Sequence, residues 1–263
     1  MTPARTPAIL NPMKKYELVP PEGNPNPTYY RIRALVDIPE VGVRAGDLGG
    51  LVESEANLSH EGSCWIREEA VVDGGAAVRG DALVYGCSVV TGNAVVEGGA
   101  AVGMGGKVSG DAVVSGRAAV LLGGEVAGDA RVCGAAMVVD GARVSGNAVV
   151  EGMARIGGVA RVEGNAVVRG EARVEGYARV GGDAVVEGDA VLYGHHLVDG
   201  GKVSSGHDLL YIDDGTVAVT VQVWTGAARV LDLKSGEPSV CHAAQLPGEI
   251  SKRLALAGIV IKP

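Results

Sequence analysis

AVVEGG-AAVGMG-GKVSGD, residues 94–111, carries the reading that decides the fold. Each block of six opens on a small residue, places Val third, and usually sets Gly fifth. The blocks run without insertion or deletion from Ala70 to Gly201, and the third position is Val, Ile or Leu in twenty-two consecutive units, Val72 to Val198. Successive residues of an extended segment point to opposite sides. The first and third residues of each unit therefore share the interior, and the second faces out. Gly at the fifth position supplies the left-handed backbone of a turn. Strands this short cannot form a meander, so the pattern predicts a coil of three flat sides stacked in parallel on itself.

A break in the pattern tests the three-sided coil. The fifth position loses Gly only at Met104, Leu122 and Asp140, which are 18 residues apart, and in each case Gly occupies the sixth position, as Gly105, Gly123 and Gly141. An 18-residue coil stacks all three on one edge. Before the regular units, CWIREE keeps the register with Ile66. Leu58 and Val52 keep it only if two residues, assigned to Gly62-Ser63, are inserted.

Composition agrees. The 263 residues include 42 Gly and no Phe, with 3% aromatic residues, so Val and Ala must fill a narrow, uniform core. A net charge of −8 argues against binding nucleic acid through its phosphates. Cys64, Cys87, Cys133 and Cys241 form no CxxC pair and read as reduced thiols of a cytoplasmic protein. No apolar run approaches the length of a membrane span. Residues 1–12 read as a disordered leader, with Met13 a candidate start.

The three faces differ in character. One displays Lys107, Glu125, Arg143, Arg161 and Arg179. The next sets Val95, Val113, Val149, Val167 and Val185 beside Arg79, Glu97, Glu151, Arg169 and Glu187. The third gathers Leu83, Tyr85, Ala101, Met104, Ala119, Leu121, Leu122, Met137 and Val139, an apolar patch of the kind that marks interfaces. Arg155, Arg173 and Glu175 are expected to end that patch after the first two-thirds of the coil. Residues 13–49 read as a β cap, with strands in KYELVP and TYYRIRALVDI. The β-helix spans 50–204. HDLLYI, TVAVTVQVW and ARVLDL with a helix in LPGEISKRLALAG make 205–263 a small α+β domain, a candidate for contacting a protein partner.

The repeat resembles the hexapeptide repeat of left-handed parallel β-helices, in which three units make a coil, so about seven to eight coils are expected. The stretch YRIRALVDIPEVGVRAGDLGGLVESEANLSHEGSCWIREEAVV resembles the segment leading into the repeats of YdcK-like hexapeptide proteins found in phages and prophages. Handedness is implied by the first resemblance, as is a homotrimer, since such proteins are frequently trimeric. The resemblance also implies acyltransferases, which use a histidine base and bind the acyl-CoA donor between subunits. Here the candidate bases are His195 and His196, ahead of His60, His207 and His242. The absence of any loop insertion between Ala70 and Gly201 leaves little with which to build a substrate recess. His195, His196, Asp199 and His207 match no standard metal spacing. There is no phosphate-binding G-x-x-x-x-G-K-[ST], and the G-x-G strings are repeat turns. The reading is a non-catalytic scaffold without cofactor or metal, self-associating through its apolar face. Acyl transfer, and capture of a small ligand in grooves between subunits, are the alternatives.

Overall fold

In the computed structural model, residues 14–24 and 27–204 are described, together with the backbone of four later strands. The chain is an all-β parallel solenoid. Two-residue strands recur every six residues from Trp65–Ile66 to Leu197–Val198, and each pairs with the strand one coil away. Val113 lies between Val95 and Arg131, and Val114 between Val96 and Val132. Val78, Val96 and Val114 therefore share one wall, and all three are fully buried. The three walls are sheets of eleven, eight and eight strands, which gives about eight coils. Ala at the first position and Val at the third form one continuous core along the rod. Every coil repeats the same small cross-section, which is why no Phe is needed.

Along the flat walls the inter-coil hydrogen bonds include pairs that run from the N–H of one coil to the carbonyl of the next, as from Val95 to Ala112 and from Glu97 to Val114. The first coil therefore presents carbonyls with no backbone donor beneath them. An unmet buried carbonyl costs about 1–3 kcal/mol, and the N-terminal segment meets these carbonyls with side chains. Strands β1 (Tyr16–Val19) and β2 (Tyr30–Ala34) pair antiparallel, and β2 pairs antiparallel with β3 (Leu48–Val52), which continues in parallel into the first wall. From this hairpin, the Lys15 ammonium reaches the carbonyls of Cys64 (2.9 Å), Gly62 (3.2 Å) and Glu61 (3.5 Å). The Tyr16 hydroxyl lies 2.7 Å from the Leu58 carbonyl, and Arg31 donates to the carbonyls of Gly49 and Glu68. Asn57, fully buried, donates to Gly74 and Ala76 of the coil above. The Gly49-Gly50 pair is required by packing, because a Cβ on Gly49 would press on Ile32 and on the Ile66 carbonyl.

The two-residue insertion is real, but its place differs from the expected Gly62-Ser63. Val52 pairs with Val72, Leu58 bridges to Val78, and Ile66 pairs with Val84. Ser59 still donates to Val78, and Gly62 already stacks beneath Gly80, so the extra residues are His60 and Glu61. At the other end Val186 pairs with Val203, one residue short of a full coil, with Gly200 and Gly201 at positive φ. Beyond it, Leu209–Asp213, Val217–Gln222, Ala227–Asp232 and Pro238–His242 form an antiparallel sheet in sequence order. The last of these strands was not anticipated. The helix expected in 246–258 lies outside the described residues, as does the leader.

Candidate functional site

The third wall carries Leu83–Val84, Ala101–Val102, Ala119–Val120 and Met137–Val138 in consecutive coils. The corner that follows these strands is built differently from every other. Met104, Leu122 and Asp140 keep the left-handed backbone of the missing glycine, at φ 52°, 53° and 59°, and the Gly after each is left-handed as well. Cys87 joins them at φ 55°, directly after Gly86. Nothing in the repeat pattern marks this turn, because Gly86 occupies its usual fifth position. The turn hydrogen bonds at this corner run from each coil to the one below, from Gly105 to Gly86, Gly123 to Met104 and Gly141 to Leu122. A side-chain-bearing residue in this backbone region costs roughly 1–2 kcal/mol. Met104 and Leu122 are also 54% and 52% exposed. Two unfavourable terms therefore coincide on one edge.

Of the seven large apolar side chains that the coils expose, six lie on the third wall or this corner, which hold only a third of the residues. Tyr85 lies flat over Gly103, where any Cβ would strike its ring. Leu83, Leu121 and Met137 are half-buried. Val139, expected to face outward, is 2% exposed and adds little free surface. Arg155 does not end the stripe but interrupts it. It pairs with Asp140 at 3.1 Å and Glu175 at 3.3 Å, and beyond it Val159, Tyr177, Val191 and Tyr193 are exposed again. The other walls are lined with ion pairs. Glu125 takes both Lys107 and Arg143. Glu187 takes Lys202 and Arg169, which hold its carboxyl below the usual range.

The two histidines of greatest chemical interest diverge. His196 fills the inward first position of its unit and is 4% exposed, with its Nδ1 against the Tyr193 backbone. Burial pushes it below its ordinary pKa of 6.5. His195 sits at the outer corner, stacked on Tyr177 at 4.8 Å. They do not form one site. The small-residue slot of the repeat already places His196 inside, a signal available in the sequence. His60 stacks on Tyr16 at 4.3 Å, its Nδ1 accepts the Lys15 N–H, and burial lowers its pKa too. His207 and the side chain of His242 lie outside the described residues. Among the described residues, no group of three or more His, Cys, Asp or Glu is placed to hold a metal.

A feature missed in the sequence is a cleft of about 780 Å³ where the cap meets the first coil, lined by Lys15, Ile38, Pro39, Val41, His60 and Ser63. His60, one of the two inserted residues, is part of its lining. No helix among the described residues is long and apolar enough to cross a membrane. The architecture defines a class, the parallel β-solenoid. No protein-family model matches the chain, and no curated protein matches it.

Proposed function

We propose that this protein is a non-catalytic scaffold, a left-handed β-helix of the YdcK-like hexapeptide type found in phages and prophages, assembling as a homotrimer through its third wall. The observation that carries the reading is the coincidence at one corner of left-handed backbone with exposed Met104 and Leu122. Such local cost persists where the surroundings compensate it, and burial against further copies of the same wall supplies the compensation. The charged outer walls stay in solvent. His196, turned into the core, supports the non-catalytic reading because a buried ring cannot reach an acceptor. The free thiols of Cys64, Cys87 and Cys133 suit a reducing cytoplasm. Residues 205–263 are the segment available to a protein partner.

Sedimentation equilibrium tests the assembly. The expected result is a trimer that the double substitution Met104→Gly/Leu122→Gly converts to a monomer, without loss of folding stability. A chain that stays monomeric at high concentration overturns the proposal.

A further inference from the structure

At the junction of cap and coil, Lys15 Nζ lies 3.2 Å from Cys64 Sγ. Lys15 is 5% exposed and Cys64 is fully buried. Their neighbour Lys14 instead turns outward to pair with Glu55. Cys64 occupies the small inward slot that Ala fills in the coils above, as at Ala82 and Ala100, so packing alone does not call for sulfur. The three carbonyls bound by Lys15 hold its nitrogen against that sulfur. The open cleft is lined by Lys15 and by Gly62 and Ser63, which precede Cys64 in the chain, so solvent reaches the Lys15 side of the pair.

We propose that Lys15 and Cys64 are a modification site, joined by a hydroperoxide through one bridging oxygen, Nζ–O–Sγ. The first peroxide converts S–H to S–OH and leaves as water. The neutral amine, its extra proton lost to solvent, then bonds the sulfenic oxygen. A second peroxide takes up the two hydrogens released in that step and leaves as two waters. A direct N–S bond would have to draw the two atoms much closer than their 3.2 Å separation, whereas one interposed oxygen needs a smaller shift. The bridge ties the strand Tyr16–Val19 to the first coil and stops the cap from lifting. Burial pushes the Cys64 thiol up, which keeps the site reduced until oxidant accumulates.

The test uses the full chain carrying Cys87→Ser, Cys133→Ser and Cys241→Ser, treated with hydrogen peroxide and read by intact and tandem mass spectrometry. The expected product is heavier by about 14 Da, reverts with a thiol reductant and yields linked peptides containing residues 15 and 64. Amide exchange in the strand Tyr16–Val19 slows about tenfold on bridging. Lys15→Arg keeps the cation and Cys64→Ala restores the repeat's own residue; each abolishes the mass gain. Three outcomes overturn the proposal: Cys64 passing to sulfinic acid with Lys15 unlinked, a cross-link lighter by two hydrogens with no oxygen gained, or the same mass gain in Lys15→Arg.

Discussion

One edge of the prism contains two ways of turning the same corner. In the later coils, Gly158 and Gly176 turn with a single left-handed residue, and a Cβ on either would stand 2.9 Å from the backbone nitrogen of the glycine above. In the earlier coils two successive residues are left-handed, and a Cβ on Gly105 or Gly123 would have nothing within 4 Å. The closed half needs glycine for its backbone angle and for its contact with the next coil. The open half needs it for the angle alone. The open corner therefore has room for side chains, and the chain puts Met104 and Leu122 there. Regular repetition builds the rod, and relaxing it on one edge makes that edge available for something else.

The sharpest way to break this comparison is one substitution made in each half. Gly123→Ala should cost about 1 kcal/mol from backbone strain alone. Gly176→Ala should cost about 3 kcal/mol, because the coil above must also shift. Denaturation midpoints decide; equal losses would mean that the halves are not built differently. Leu122→Gly removes strain in the open half, so the monomer should hold its stability or gain about 1 kcal/mol while association weakens. A loss of folding stability there would show that the side chain serves its own coil.

Acid should distinguish the halves next. Folding holds His196 neutral, and burial lowers its pKa from 6.5. Above 6.5 the contribution of the neutral ring is fully present. As pH falls below 6.5 the unfolded chain takes up a proton that the folded coil refuses, and stability drops until the folded ring protonates too. His60 acts in the same sense. The difference between wild type and His196→Ala, followed from about pH 7.5 to 5, therefore isolates the last coil. A difference that does not change with pH would refute the assignment. The smallest effect belongs to the boundary. Arg155→Met should change folding stability by no more than about 0.5 kcal/mol. It should also join the two apolar segments and tighten association on sedimentation.

The walls were legible because inward Val and Ala recur with a fixed period, and a period of six fixes both strand placement and the 18-residue stacking partner. What stayed hidden depends on contacts between coils. The left-handed turn at Cys87 follows its neighbours above rather than its own unit, where Gly86 is regular. Tyr85 folds onto Gly103, a partner 18 residues on, and Val139 is covered where the pattern placed it outward. The insertion was found by counting, but only stacking distinguishes His60-Glu61 from Gly62-Ser63. The roles of Lys15 and Arg31 stayed hidden because nothing in their own segment shows that first-coil carbonyls need donors at that end.

The uniform register of the stacked coils has a consequence for the length of the molecule. Each coil offers the one above the same N–H donors that it receives from the one below, and only the two ends are specialised. Duplicating or excising any 18-residue block within the closed half leaves both ends chemically as they were. Such a rod changes length in steps of one strand spacing, about 4.8 Å, and the separation of its two ends is set by how many blocks the sequence contains.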